Sequence, residues 1–218
     1  MKKMFREDGE IQTILDGMGF QIGEVVETIV TTRGVGGEPN AAPMGILRTG
    51  PRVVEVKPFL NTTTYANLKD TGRGVANITY DVKLFLESAF KESGVKPEWF
   101  EEDEDPPRLR DADAILSFSV LEETAASERG ARFLCRIKWI RVFNPFPRVF
   151  SRGFAAVVEA IIHATRIEAF IGEGRGDEVE EWLHRFDACR EIVERVSPEG
   201  SPNRLVIRAL EEKMRTWK

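Results

Sequence analysis

Three blocks of small and polar residues stand at the ends of apolar runs between Glu38 and Asp81. They are Glu38-Pro-Asn-Ala-Ala-Pro-Met-Gly45, Asn61-Thr-Thr-Thr-Tyr-Ala-Asn67 and Thr71-Gly-Arg-Gly-Val-Ala-Asn77. Asn and Thr bring hydrogen-bonding groups, Gly lets another molecule approach the backbone, and Pro fixes the local path. On neighbouring strand ends, such blocks suit a flat polar ligand lying along a sheet edge. A helix opening at residues 62–64 would also point free backbone N–H groups at an anion. Each block alone has a plainer account, because Asn and Thr cap turns and helices, and Thr62 or Thr63 could be a simple N-cap. Their occurrence together in one short stretch points to a binding edge.

A second group lies further along. At 100° per residue, Arg152, Glu159, His163 and Arg166 fall within an arc of about 60° on a largely apolar helix. They form either a solvated stripe, with Glu159–His163 an i,i+4 pair, or a row of donors facing a phosphate or a partner subunit.

Other chemistries find little support. Gly72-Arg-Gly-Val-Ala-Asn77 begins like a dinucleotide fingerprint, but Asn77 stands where the third glycine belongs, and the segment leads into a strand instead of a helix. There is no Walker A sequence. Only His163 and His184 exist, with no HExxH, so a zinc centre is not expected, and no serine sits in GxSxG. Cys135 and Cys189 are far apart and read as reduced core residues.

These blocks need elements to hold them. Residues 21–32 are rich in β-branched side chains and read as a strand ended by Arg33-Gly-Val-Gly-Gly37. Residues 42–48 are its returning partner, and residues 52–57 a third strand stopped by Pro58. A short helix over 62–71, a strand over 74–79 and an amphipathic helix over 82–91 follow, the last with Val82, Phe85, Leu86, Ala89 and Phe90 on one face. Residues 11–18 form a short helix or strand ahead of these. The acidic, Pro-rich stretch 98–113 reads as an exposed loop. Residues 114–125 and 131–143 alternate as a hairpin with its turn at 127–130, broken after by Asn144-Pro-Phe-Pro147. Helices are expected over 153–170, 177–195 and 202–217.

Strands thus come first and helices last, which predicts an α+β, mainly β fold with antiparallel pairing, and domains at 1–150 and 151–218. The 31 basic and 36 acidic residues give a net charge of −5, which argues against a general binder of nucleic acid or anionic membrane. Met1-Lys-Lys-Met-Phe-Arg-Glu-Asp8 has no apolar segment of the signal-peptide kind, and no apolar run reaches membrane-spanning length. A cytoplasmic soluble protein is the expectation.

Taken together, Asn40-Ala-Ala-Pro-Met-Gly-Ile46, Pro58-Phe59 with Thr62, Thr64, Tyr65, Asn67 and Leu68, Asn77-Ile-Thr79 with Asp81, and Ala156-Val-Val-Glu-Ala-Ile-Ile-His-Ala-Thr-Arg166 resemble the flavin reductase-like split-barrel family of FMN-binding proteins. More closely they resemble a prokaryotic family of unknown function within the pyridoxamine-phosphate-oxidase-like barrels. The resemblance implies a split β-barrel with a C-terminal helical extension packed on the barrel or the dimer interface. It further implies a homodimer with FMN in a groove between subunits. Asn40, Ala41, Ala42, Pro43, Met44 and Gly45 would lie along the flavin ring, and Thr62, Thr63, Thr64 and Asn67 near the ribityl phosphate. Asn77 would lie near the ring or ribityl chain. Arg152, His163 and Arg166 would meet FMN or the dimer seam. The implied activity is a flavin reductase type of oxidoreductase using NAD(P)H; the alternative is a non-catalytic flavin carrier, sensor or redox partner. A deazaflavin, haem or protein ligand on the same barrel is a third option.

Overall fold

The polar blocks come together in an antiparallel barrel, seen in a computed structural model that describes residues 3–89, 100–101, 105–125 and 130–217. The first unit, Met1–Phe150, contains β1 (Lys3–Phe5), α1 (Asp8–Gly17), β2 (Val25–Arg33), β3 (Pro39–Gly50), β4 (Val53–Val56), α2 (Thr63–Thr71), β5 (Arg73–Ile78), α3 (Val82–Ala89), β6 (Phe100–Glu101), β7 (Arg108–Leu109), β8 (Ala114–Ala125) and β9 (Ala131–Val142). Six strands run in the order β9-β4-β3-β2-β5-β8, and pairing of β8 with β9 closes the ring. β1 adds a further strand against the end of β9, with Phe5 opposite Ile140.

Alternation decides which side chains fill the ring. Val26 and Val30 of β2, Ile46 of β3, Val54 and Val56 of β4, and Phe133, Cys135 and Ile137 of β9 are buried together inside it. Ile11, Leu15 and Met18 recur at helical spacing, so α1 plugs the ring with one apolar face. The Arg48 side chain is fully buried beneath this plug, donating to Asp16 Oδ1 and to the Phe20 carbonyl, both at 2.5 Å. Strand β5 shows why Gly74 is glycine: a Cβ there would sit 2.4 Å from Phe118 Cζ, so its absence lets the Phe118 ring enter the core. Gly72 ends α2 at φ 65°, the left-handed conformation of a helix C-cap. Both glycines of the false dinucleotide motif therefore have structural work.

The stretch expected as an exposed loop over 98–113 is different in the part described. β6 pairs with β7, and Arg108, Leu109 and Ala112 are buried. Leu109 and Ala112 join Ile29, Ala41, Val75, Leu84 and Ile115 in a cluster on the outer barrel wall. The gain from covering that wall outweighs the local signal of Pro and acid. Residues 98–99 and 102–104 of this stretch, residues 90–91 of the amphipathic helix and the 127–129 part of the hairpin turn lie outside the described residues, as do the side chains of Val82 and Leu86.

The second unit, Ser151–Lys218, holds α4 (Arg152–Gly172), α5 (Gly176–Val196) and α6 (Pro202–Met214). Ala156, Ala160, Ala164 and Ile167 of α4 pack with Phe186, Cys189 and Val193 of α5 and Ile207 of α6. Small residues on α4 allow close helix approach, and Gly153 is closest of all: a Cβ there would lie 2.4 Å from Ser197 Oγ. Among the described residues no helix is long and apolar enough to cross a membrane.

Candidate functional site

Strand β3 carries the first polar block through its whole length, opposite β2 in the register Thr32↔Asn40, Val30↔Ala42, Thr28↔Met44 and Glu27↔Gly45. On its other side β4 pairs with it only from Ile46 onward. Residues 40–45 therefore form a half-strand whose second edge has no strand partner among the described residues. Pro43 has no N–H to give, which fits a position whose backbone faces away from β2; alternation then turns the backbone groups of Gly45 toward the same edge, and those of Ala41 as well, although Ala41 is buried. Asn40 and Ala41 are buried, and residues 42–45 are half-buried. Met44 turns its side chain onto the barrel core, and its carbonyl accepts a bond from Thr28 Oγ1 at 3.0 Å.

The second block opens α2. Thr62 is its N-cap: Oγ1 accepts from the Tyr65 N–H at 3.2 Å and donates to the Phe59 carbonyl at 2.7 Å. The N–H groups of Thr63 and Thr64 head the helix without an acceptor inside it. Thr63 is exposed, whereas Thr64 and Asn67 point inward. There they meet β2 and β3: Asn40 Nδ2 donates to Thr64 Oγ1 at 3.0 Å and reaches Thr32 Oγ1 at 3.5 Å, and Asn67 Nδ2 donates to Thr32 Oγ1 at 3.0 Å. This buried network fixes the start of α2 against the open half of β3. Gly34 completes it, since a Cβ there would lie 2.7 Å from Asn67 Oδ1.

Asn40, Thr64 and Asn67 thus come together as internal struts, Thr62 as a cap, and Thr63 as the exposed hydroxyl. Asn77 stands apart. It is fully buried, its Nδ2 donates to the Ile29 carbonyl at 2.8 Å, and its Oδ1 accepts from the Leu109 N–H at 2.8 Å. Its amide joins β5, β2 and β7 and is committed to the fold. Thr32, the hub of the network, was not singled out in the sequence. Counting outward from Gly36 would have found it, because Thr32 and Asn40 lie four residues to either side and pair across the hairpin.

Charge near the edge is mixed. Glu27 lies beside Gly45, with its Oε1 3.5 Å from where a Cβ would be. On the adjoining wall Glu55 is nearly buried between Lys57 Nζ at 2.7 Å and Arg132 Nε at 3.2 Å.

Arg152, His163 and Arg166 belong to the second unit. Arg152 begins α4 behind the Ser151 N-cap. His163 and Arg166 gather instead at Trp182 of α5: the imidazole is 5.2 Å from the indole, and the Arg166 guanidinium lies 4.3 Å from it, with that of Arg185 at 4.5 Å. Burial lowers the His163 pKa below its ordinary value; Glu159 opposes this, while Arg185 and Arg166 reinforce it. The outward face of α4 carries Phe154, Val158, Ile161 and Ile162, all exposed. Their i, i+4, i+7, i+8 spacing was visible in the sequence but was absorbed there into a generally apolar helix.

Comparison with known proteins adds a family. A family model described as the N-terminal domain of a protein of unknown function (DUF447) matches residues 26–141, and a second DUF447 model matches residues 151–211. Among solved structures, an FMN-bound DUF447 protein from Methanosarcina mazei is 26% identical, with a TM-score of 0.51 over 91% of this chain and 98% of that one. The NADH:FAD oxidoreductase SgcE6 of Streptomyces globisporus C-1027 is 16% identical, with a TM-score of 0.50 over 64% of this chain and 89% of that one. The second likeness is one of fold alone: a flavin reductase-like split barrel.

Proposed function

The chain belongs to the DUF447 family, and from that membership we propose that it is an FMN-binding flavoprotein acting as an oxidoreductase of flavin reductase type. The observation that carries this is the unpaired half of β3 beside the first turn of α2. The FMN bound to the Methanosarcina mazei relative supports the choice of ligand. The residues present suit such a group. The N–H and C=O groups of Gly45 and the C=O of Pro43, half-buried on the open edge, would hold the polar rim of a flavin ring. Gly45 keeps that edge low, since a Cβ there would come within 3.2 Å of Val25 Cγ1. The N–H groups of Thr63 and Thr64, with the Thr63 hydroxyl, would hold the phosphate.

FMN, when bound, supplies the redox chemistry, accepting electrons from NAD(P)H and passing them on. The chain's own contribution is binding and orientation. The Asn40–Thr64 and Asn67–Thr32 bonds set the distance between the ring-binding edge and the phosphate-binding turn. The Pro43 ring and the Met44 backbone give that edge a fixed shape. A homodimer with FMN near the subunit seam belongs to the same proposal; the exposed stripe of Phe154, Val158, Ile161 and Ile162 suits a brace in such an assembly.

Adding FMN to the purified protein should quench flavin fluorescence with saturation. Anaerobic NADH or NADPH should then bleach the bound flavin. Absence of binding would end the proposal. Binding without bleaching by either nucleotide would remove the reductase activity and leave a flavin carrier or sensor.

A further inference from the structure

A cavity lies at the opposite end of the barrel from α2. The Asn40 end of β3 is tied to α2 through Thr64, and the Arg48 end is tied to α1 through Asp16. At the α1 end, β1, the last turn of α1 and the segment after β9 enclose a cavity of about 590 Å³, within the ~300–1,000 Å³ range of small-molecule sites. Its wall is apolar: Phe5, Ile14, Met18, Val142, Phe143 and Phe146 line it. Two of its polar side chains are already engaged. Thr13 Oγ1 donates to the Gly9 carbonyl at 2.8 Å, and Asn144 Nδ2 donates to Asp113 Oδ1 at 3.0 Å.

The charges at the cavity are both positive. Lys3 and Arg148 line it, and among the described residues neither has a carboxylate partner. Lys3 Nζ rests over the Phe5 ring, 4.8 Å from its centroid. Arg148 is exposed. An apolar chamber of this size with two unneutralised cations, in a chain of net charge −5, selects an occupant of matching character. Its body must be apolar to remove water from Phe5, Ile14 and Phe143, and its head must be anionic.

We infer that the cavity between β1, α1 and residues 142–148 is a binding site for a small apolar carboxylate, aromatic or short aliphatic, with the acid group held between Lys3 and Arg148. The site stands apart from the proposed flavin edge and shares no residue with it. A carboxylate satisfies Arg148 by paired hydrogen bonds and Lys3 as a point charge. A neutral molecule of the same shape gains only the apolar contact.

The test uses 2-naphthoate and its neutral counterpart 2-naphthamide as probes, titrated by calorimetry into the full chain. Naphthoate should bind saturably, and at least about tenfold more tightly than the amide, the worth of one charge-assisted contact. The double variant Lys3→Met/Arg148→Met, which changes two side chains at the cavity rim, should bring naphthoate to the level of the amide. Gly17→Met should fill the chamber and abolish both: a Cβ on Gly17 meets nothing within 4 Å, and the residue sits at the end of α1 with ordinary φ. Its melting temperature is checked first, and if it unfolds the rim variant decides alone. No saturable naphthoate binding, equal affinity for acid and amide, or an unchanged affinity in the rim variant would overturn the site. So would competition by FMN in the wild type, since one pocket would then serve both ligands.

Discussion

Among the residues of the second block, position on α2 separates contact from support. Thr63 is exposed at the head of the helix, while Thr64 and Asn67 point into the network around Thr32. Thr63→Val should therefore weaken FMN by several-fold, and riboflavin, which lacks the phosphate, hardly at all. Fluorescence titration of both ligands checks this, and equal losses would remove the phosphate role. Asn40→Ala should behave differently. It leaves Thr64 and Thr32 short of a buried partner, at a cost of about 1–3 kcal/mol. Denaturant unfolding should reveal that loss, and affinity for FMN and riboflavin should fall together because the whole helix start shifts. Asn77→Ala should lower stability because the buried Ile29 carbonyl and Leu109 N–H lose their bonds to it, leaving the ratio of the two affinities unchanged.

At the scale of elements, β5 and β8 are fitted to each other through one glycine. Gly74→Ala forces the Phe118 ring away from its place and should cost about 1–3 kcal/mol, the range for overpacked cores. Pairing it with Phe118→Leu should recover part of that in urea denaturation, whereas two independent losses would argue against a shared space. The strands themselves were legible: β2, β3, β4, β5, β8 and β9 each carry a run of β-branched or alternating residues bounded by Gly or Pro. The helix α2 was also legible, because Thr62 and Gly72 mark its ends. β1 was not, since three residues carry no period, and β6 with β7 was hidden inside an acidic, Pro-rich stretch. β6 pairs with β7 because Leu109 and the outer barrel wall bury each other, which is a property of both partners and of neither segment alone.

For the whole molecule, each unit holds one buried cysteine. Burial pushes the Cys135 thiol up to about 12 and also raises that of Cys189. Neither should react with a thiol reagent at neutral pH until its own unit opens. Labelling across a denaturant series, read by peptide mass, therefore reports the barrel through Cys135 and the helical unit through Cys189. A single transition at both would mean that the units unfold together. The helical unit also has a pH signature. The His163 pKa is lowered by folding from its ordinary 6.5, so the unfolded chain binds that proton first as pH falls. The stability this residue permits is complete above about pH 6.5 and declines as pH falls below it. Melting temperature should drop between pH 7.5 and 5.5, and His163→Gln should remove part of that drop.

Composition and local pattern by themselves determined the order of strands and helices, the two cysteines as free core residues, and the stretch that holds the open edge of β3. These follow from short-range physics: alternation, capping, and the backbone freedom of Gly against the restriction of Pro. Side-chain roles within that stretch were decided only in three dimensions. Asn40, Thr64, Asn67 and Asn77 have the same donors and acceptors as any ligand-binding residue, and nothing in their order says whether those groups will face solvent or one another. Closing the barrel turned all four inward and left Thr63 exposed and the backbone of Pro43 and Gly45 half-buried at the edge. The cavity at Lys3 and Arg148 is likewise absent from any single segment, because segments far apart in sequence enclose it.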